Sequence, residues 1–226
     1  MAGKKKSLWR RVLLAIVGLI VGVHLLWATA LLALRFVNPP TTGVQLQRRV
    51  ESWFAKGKYQ KRSQLVPLAS ISPHLGHAVI AAEDGRFYKH WGVDWLAVQK
   101  AVEENRETGR VRGASTITQQ LIKNLFFTTH RNPVRKLCEY TLAPMATLIL
   151  GRQRILELYL NLVEWGPGVF GAEAAAEYHF HIHASQLSRD QAARLAACLP
   201  APRRRKPERM NDYSADIQVR MGQLGW

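Results

Sequence analysis

The chain has 226 residues, with 32 lysines and arginines against 16 aspartates and glutamates, and its formal net charge is +16. Hydrophobic residues make up 47% of it, which excludes a disordered polyelectrolyte, and two cysteines are too few for a disulfide-built scaffold. So basic a chain suits phosphate-bearing substrates or anionic lipid, and charge alone leaves nucleic acid open as the alternative.

The N-terminal part of the chain has the pattern of a membrane span. Residues 12–34 carry no formal charge, and as a helix they would extend about 34 Å, enough to cross a bilayer core. Five basic residues precede this stretch and only Arg35 follows it closely. The positive-inside rule therefore places the N-terminus in the cytoplasm and the remainder outside, where nucleic acid is not an expected partner.

The predicted organisation is a cytoplasmic basic tail at 1–11, a transmembrane signal anchor at 12–34, a linker at 35–44 and one domain at 45–226. A cleaved signal peptide is the alternative, because Ala28-Thr29-Ala30 has the small-x-small form of a cleavage site. The apolar run continues past Ala30 to Leu34, which favours an uncleaved anchor.

Capping and spacing signals predict a mostly α domain after the linker. The polar, glycine-interrupted stretch 103–112 is predicted to be a mobile loop, and 178–182 is the best candidate strand. The predicted helices are 73–83 after Ser72, a segment capped by Asp94, one from a Ser115 cap to Phe127, 133–151, 152–161, and 192–199 after a Ser188-x-x-Gln191 capping box.

The first candidate site cluster is Glu83 and Asp84, followed at fixed spacing by Phe87, His90 and Gly92. Glu83 ends an apolar helix, so burial and the negative end of the helix dipole would both raise the pKa of its carboxyl. A raised pKa suits a general base for a sugar hydroxyl. The alternative is a solvated acidic pair at a helix end, and the spaced Phe87, His90 and Gly92 favour the functional interpretation.

The second cluster is a run of hydroxyl and amide side chains at a predicted helix start, Ser115, Thr116, Gln119 and Gln120. Such side chains are poor helix formers but can hydrogen-bond a polyhydroxy ligand, although Ser and Thr can also serve only as caps. Lys123 lies about two turns after Thr116, so it can share that face and place a charge on a phosphate.

The third cluster joins Lys123 to Arg131, Arg135 and Lys136, with Glu139 one helical turn further on. One interpretation is a surface salt bridge that contributes little stability. The other is a group of cations that holds a pyrophosphate leaving group, with the carboxylate orienting them or binding a metal. Spacing alone does not decide between the two.

Four stretches, in this order, resemble the signature blocks of the peptidoglycan glycosyltransferase family (glycosyltransferase family 51), and more narrowly of its monofunctional biosynthetic members from Gram-negative bacteria. They are EDGRFYKHWG at 83–92, GASTITQQ at 113–120, RKLCE at 135–139 and RQRILELYLN at 152–161. A weaker fifth block at 193–202 departs from the usual pattern at Arg194 and Ala201, so no site residue is placed there.

The resemblance implies a lysozyme-like, two-lobed, mostly α domain preceded by a single N-terminal transmembrane helix. It implies the polymerisation of lipid II: the 4-hydroxyl of an acceptor sugar attacks the anomeric carbon of the donor strand and expels undecaprenyl pyrophosphate, which gives a β-1,4 linkage with inversion. The expected partners are lipid II, the growing glycan strand, inner-membrane lipids and other cell-wall synthesis proteins, with the catalytic domain in the periplasm.

By the same resemblance, Glu83 is the general base and Glu139 the second essential carboxylate. Lys123, Arg131 and Arg135 would hold the pyrophosphate. Some relatives use Mg²⁺ or Mn²⁺ there, but no ligand cluster in this sequence identifies a metal. The full set of expected substrate-binding residues is Asp84, Phe87, His90, Ser115, Thr116, Gln119, Gln120, Lys123, Arg131, Arg135 and Lys136.

Two other functions stay open at this stage. A lysozyme-like lytic enzyme also uses paired carboxylates, but cleavage of a neutral glycosidic bond needs no cationic pyrophosphate site. An inert membrane-anchored cell-wall scaffold is the third, and the presence of both Glu83 and Glu139 speaks against it. Transpeptidation is not expected, because the chain has no Ser-x-x-Lys and no Lys-Thr-Gly motif.

The alternating His179, His181 and His183 would share one face of a strand, as metal ligands require. Family members have a turn at this place, so the three histidines are predicted to lie in a local loop without a metal.

Overall fold

The computed structural model describes residues 2–54, 59–109 and 113–226, with side chains from Leu8 onward. The described chain is mostly helical, as predicted. Its α-helices are α1 Ala2–Phe36, α2 Gly43–Phe54, α3 Pro73–Glu83, α4 Trp95–Thr108, α5 Ile117–Phe126, α6 Pro133–Leu162, α7 Ala172–Phe180, α8 Arg189–Cys198 and α9 Asn211–Gln223; its strands are β1 Arg62–Ser63, β2 Glu164–Gly166 and β3 Val169–Phe170.

Two of the predicted helix caps are confirmed by their side-chain hydrogen bonds, while Ser72 precedes α3 as predicted but makes no capping hydrogen bond. Asp94 accepts a hydrogen bond from the Ala97 amide at the start of α4, and Ser188 forms the expected capping box before α8. The predicted cap of α5 was one residue early, because Thr116, and not Ser115, accepts from the amide of Gln119.

Two predictions of local structure were wrong. The expected loop at 103–112 is helical up to Thr108, where Gly109 ends α4 in the left-handed conformation; residues 110–112 lie outside the described chain. The expected strand at 178–182 belongs to α7 up to Phe180 and to the turn after it. In both places a continuous helical backbone prevailed over a local signal for a loop or a strand.

The strands form one small sheet in the order β1-β3-β2, with β1 parallel and β2 antiparallel to β3. All residues of β2 and β3 are buried. The sheet therefore holds Glu164 of β2 in the interior, close to the clefts described below.

Helix α1 contains a segment, Leu8–Phe36, that is long and apolar enough to cross a membrane. Its C-terminal part packs on the domain: Leu31 is fully buried, and Trp27 makes an edge contact with Phe127 at 6.0 Å between ring centroids. This packing lies on both sides of Ala30, so the C-terminal part of α1 is packed on the domain as one continuous helix.

Helix α6 bends at Gly151, whose φ of 75° and ψ of 164° are not helical, and this confirms the predicted division into two helices. The break is bridged from α1, since Arg35 donates to the carbonyl of Ile149 at 2.7 Å. In return, Arg154 donates to the carbonyl of Leu34 at 2.9 Å. Each helix thus satisfies carbonyls at the end of the other.

The domain core forms where α5 packs on α6 and where α3 packs on α8 and α9. The end of α3 is tied to the start of α5 by Asp84, whose buried carboxylate accepts from the Ile117 amide at 3.0 Å and pairs with His90 at 2.9 Å. These contacts place Glu83, the last residue of α3, beside the polar start of α5.

Gly92 lies at a close approach of two backbones. Its φ is +82°, and a β-carbon built there would be only 2.4 Å from the carbonyl oxygen of Ala143 in α6. We expect Gly92→Ala to lower the free energy of unfolding by about 3 kcal/mol, because neither backbone can move away without breaking helix contacts. The thermal unfolding midpoint of the detergent-solubilised protein measures this.

The matched control is Gly222→Ala, on helix α9, where an added β-carbon has no neighbour within 4 Å. We expect it to leave the midpoint unchanged or to raise it slightly, since alanine favours helix. Equal midpoints for the two variants would show that the backbone approach at Gly92 is not constraining.

Candidate active site

A cleft of about 790 Å³ opens between α2, α5 and the first half of α6, and it brings most of the predicted site residues together. We call it the cationic cleft, because five basic residues and three acidic residues line it. The expected residues that line it are Glu83, Ser115, Gln120, Lys123, Arg131, Arg135, Lys136 and Glu139.

A second cleft, of about 640 Å³, lies on the other side of Glu83, between α4, the start of α5 and α9. Glu83, Ser115 and Gln120 line both clefts. Asp84 and Thr116 line only the second one. The carboxylate of Glu83 is therefore at the junction of two spaces, each large enough for part of a substrate.

Glu83 is half-buried, and the Gln120 side-chain amide donates to its Oε2 at 2.7 Å. Burial raises the pKa of the Glu83 carboxyl above its ordinary value, and the hydrogen bond from Gln120 and the charge of Lys123 offset this only in part. A carboxylate in this state is a stronger base than a solvated one, as general-base catalysis requires.

Glu139 is buried in the wall of the cationic cleft and is held by two cations. Arg135 donates to its Oε1 at 2.5 Å and Lys136 to its Oε2 at 3.0 Å. Lys136 also donates to the hydroxyl of Ser115 at 2.9 Å, which links α6 to α5. The ion pair is thus a buried feature of the cleft wall, and the interpretation as a solvated surface salt bridge is not supported.

Lys123 of α5 lines the cationic cleft. Within residues 2–54, 59–109 and 113–226, Lys123 makes no hydrogen bond and no ion pair. The charges of Glu139 and Glu83 are near enough to favour its protonated form. Burial lowers the pKa of Lys123. An unpaired, half-buried ammonium is a good binding group for an anion, because the anion supplies the missing counter-charge.

Three expected substrate-binding residues line neither cleft. Phe87 is fully buried in the core, His90 pairs with Asp84, and Gln119 completes the capping box of α5. The Asp84 carboxylate is likewise taken up by internal hydrogen bonds. The structure gives these side chains packing and hydrogen-bonding positions behind Glu83; their contact with a substrate stays a prediction.

Sequence reasoning missed three residues around the clefts. Arg48 of α2 and Glu164 of β2 form a buried ion pair at 2.9 Å in the lining of the cationic cleft. Tyr159, in the second half of α6, is fully buried and donates to Gln120. In the sequence, Tyr159 lies within the signature block at 152–161 but was not assigned a site role, because an apolar helix is explained by core packing. The acid before Trp165 was the available signal for Glu164.

Three carboxylates line the described part of the cationic cleft. Both oxygens of Glu139 are paired with cations, Glu164 is paired with Arg48, and Glu83 accepts a hydrogen bond from Gln120. Mg²⁺ prefers carboxylate oxygens, and protein cations compete for two of these three groups. The expectation of Mg²⁺ or Mn²⁺ at a pyrophosphate stays a prediction.

The three alternating histidines do not share one face of a strand. His179 is in α7, His181 ends that helix, and His183 precedes a short turn in which its Nδ1 lies 2.6 Å from a Glu173 carboxylate oxygen. The local loop was therefore partly correct, since only the last two histidines lie outside the helix.

The domain is mostly helical, carries a membrane-length helix and has the Glu83 carboxylate at the edge of a cationic cleft, a combination that suits an enzyme with an anionic substrate. The family model described as Transglycosylase matches residues 49–223. The chain belongs to the transglycosylase family, whose domain is lysozyme-like.

Similar proteins cover almost the whole chain. A "Biosynthetic peptidoglycan transglycosylase" of Ectopseudomonas mendocina (strain ymp) is 45% identical over 224 residues, 97% of this chain and 91% of the relative. Proteins of that same name from Pseudomonas entomophila (strain L48) and Pseudomonas syringae pv. syringae (strain B728a) are 46% and 42% identical; the alignments cover 89% and 97% of this chain, and 89% and 93% of the relatives.

The raised pKa of Glu83 predicts a pH-dependent stability difference. Between the ordinary pKa of glutamate and the raised one, the folded state binds more protons than the unfolded state, so wild-type stability falls as pH rises through this window. Glu83→Gln removes this titration. We expect the thermal midpoint of the variant, relative to that of the wild type, to increase from acidic to neutral pH.

Unfolding midpoints measured at several pH values for both proteins test this. Glu177→Gln is the control, because Glu177 is an exposed residue of α7 that lines neither cleft. A midpoint difference for Glu83→Gln that stays constant with pH would contradict the raised pKa.

Proposed function

We propose that the chain is a peptidoglycan glycosyltransferase that polymerises lipid II into β-1,4-linked glycan strands, with inversion at the anomeric carbon and release of undecaprenyl pyrophosphate. The single observation that carries this proposal is the position of Glu83, a base at the junction of a cationic cleft and a second cleft. The relatives' names, which specify peptidoglycan transglycosylase, support it.

The reaction joins two sugars, and the two clefts on either side of Glu83 provide space for both. We assign the acceptor sugar to the second cleft and the lipid-linked end of the donor strand to the cationic cleft. In this arrangement the acceptor hydroxyl and the donor anomeric carbon meet beside Glu83, which lowers the entropic part of the barrier.

Glu83 takes the proton of the acceptor 4-hydroxyl. The oxygen forms its bond to the anomeric carbon while the bond from that carbon to the pyrophosphate oxygen breaks, and the pyrophosphate leaves with the electron pair. Attack from the face opposite the leaving group inverts the anomeric carbon. The raised pKa of Glu83 brings the base closer to the proton affinity that this transfer needs.

The cations of the cleft stabilise the departing pyrophosphate. Lys123 has no protein counter-ion within the described residues, while Arg135 and Lys136 are held in place by Glu139. Fixed charges of this kind stabilise a developing negative charge without having to reorganise during the reaction. The role of Glu139 is then to orient these cations. A lytic enzyme that cleaves a neutral glycosidic bond would not need them.

The apolar helix α1 fits a membrane anchor, and we infer that it crosses the bacterial inner membrane once, with the N-terminus in the cytoplasm and the domain in the periplasm. The packing of Trp27 and Leu31 on the domain supports an uncleaved helix. An anchored domain meets substrates that are themselves membrane-bound, which fits lipid II, the growing strand, membrane lipids and other cell-wall synthesis proteins as partners.

We expect the full-length protein to convert purified lipid II into glycan strands, and Glu83→Gln to lower the rate by about 10³-fold or more, because the amide cannot accept the proton. Gel separation of labelled strands measures this, with the unfolding midpoint as the check on folding. No polymer from the wild type, under conditions where a relative is active, would favour the scaffold, and degradation of added strands would favour the lytic enzyme.

We expect Lys123→Ala to lower the rate by about 10²-fold, because the pyrophosphate loses a fixed counter-charge. The matched control is Lys89→Ala, since Lys89 is exposed and lines neither cleft. Steady-state rates at several lipid II concentrations measure both variants. Wild-type rates for Lys123→Ala would remove this residue from the site.

A further inference from the structure

Behind Glu83 lies a chain of two hydrogen bonds that reaches a buried tyrosine. The Tyr159 hydroxyl donates to Oε1 of Gln120 at 2.8 Å, and Nε2 of Gln120 donates to Oε2 of Glu83 at 2.7 Å. Tyr159 is fully buried in the second half of α6, and it lines neither cleft. Among the described residues, its hydrogen-bonded link to Glu83 runs through Gln120.

The direction of the chain follows from the chemistry of its ends. Burial raises the pKa of Tyr159 well above its ordinary value, so the hydroxyl keeps its proton and acts as a donor. Among the residues that the structure describes, its acceptor is the carbonyl oxygen of the Gln120 side chain. This fixes which end of the amide faces each neighbour, and the NH₂ group is turned towards Glu83.

An amide turned the other way would place its oxygen against the Glu83 carboxylate, an arrangement that repels the ionised base and suits only the protonated acid. The orientation set by Tyr159 therefore selects the ionised form. It also limits the rotation of the carboxyl group, because one of its oxygens is held and the other stays available for a substrate proton.

We propose that Tyr159 is a positioning residue for this reaction: it fixes the amide of Gln120 so that Glu83 is held ionised and correctly oriented. This inference rests on the proposed role of Glu83 as the general base. It adds to the site a residue that touches neither substrate nor Glu83.

Other groups also act on Glu83, and they do so by separate routes. Lys123 from α5 and Arg205 from the segment before α9 favour the ionised form, while the adjacent Asp84 opposes it. In the described residues, no hydrogen bond joins Tyr159 to any of these three. Removing the Tyr159 hydroxyl thus changes the hydrogen bond from Gln120 and leaves the other charges in place.

The test is Tyr159→Phe, which keeps the ring and removes only the hydroxyl. The Gln120 amide then loses its fixed orientation and donates less well to Glu83, so the pKa of the base rises further. We expect the acidic limb of the kcat/KM–pH profile for lipid II polymerisation to move to higher pH, with kcat/KM about 10-fold lower on that limb and partial recovery at alkaline pH.

The matched control is Tyr178→Phe, on α7, because the Tyr178 hydroxyl makes no hydrogen bond within the described parts of the chain. We expect its pH profile to match that of the wild type. A Tyr159→Phe profile that is lowered equally at every pH would mean that the hydroxyl only supports packing, and it would overturn the proposal.

A second measurement does not depend on turnover. Carboxyl-¹³C NMR of glutamate-labelled protein, with the Glu83 signal identified by its loss in Glu83→Gln, gives the pKa of Glu83 directly. We expect the pKa of Glu83 to be higher in Tyr159→Phe than in the wild type. In the Gln120→Leu background, where the link is already broken, adding Tyr159→Phe should leave this pKa unchanged. An unchanged pKa in Tyr159→Phe would overturn the positioning role even if the protein polymerises lipid II, and a shifted pKa without any polymer would uphold it while the proposed function failed.

Discussion

The carboxylate of Asp84 is the contact on which the site depends. It pairs with His90 and accepts a hydrogen bond from the backbone amide of Ile117, the first residue of α5. An acidic group at this position satisfies an otherwise unpaired amide and interacts favourably with the positive end of the helix. Because Glu83 is the preceding residue, the same contact sets where the base meets the start of α5. Loss of this carboxylate would remove the hydrogen bond that joins the end of α3 to the start of α5.

The cations of the site differ in whether they are paired with a carboxylate. Glu139 pairs with two cations, Arg135 and Lys136, and fixes them in the wall, while Lys123 forms no hydrogen bond or ion pair among residues 2–54, 59–109 and 113–226. Cations held close together repel one another, and an anion bound among them reduces this repulsion. The protein therefore keeps its charges arranged for a ligand at some cost in stability, as is common at functional sites.

The sequence was most informative where one residue decides the local structure. Pro73, the Asp94 cap and the break at Gly151 fixed helix boundaries that the structure confirms. It was least informative about which side chains contact one another in the folded chain. The resemblance grouped Phe87 with the substrate-binding residues, whereas the structure buries it in the core. This burial depends on helices that are distant in the sequence. Tyr159 was missed for the same reason, because a buried polar end inside an apolar helix is visible only once its acceptor on α5 is known.

The reciprocal bonds between α1 and α6 have a consequence for diffusion. A domain on a flexible linker tumbles freely, and its cleft faces the bilayer only part of the time. Here Arg35 and Arg154 hold the two helices together on either side of the bend. The cleft then keeps one height and one tilt relative to the axis of α1. In the proposed arrangement, with α1 across the membrane, a lipid-linked molecule that moves laterally in the bilayer would meet the cleft already oriented. The search for substrate would then be two-dimensional, and the anchor would raise the effective concentration of every partner confined to the same membrane.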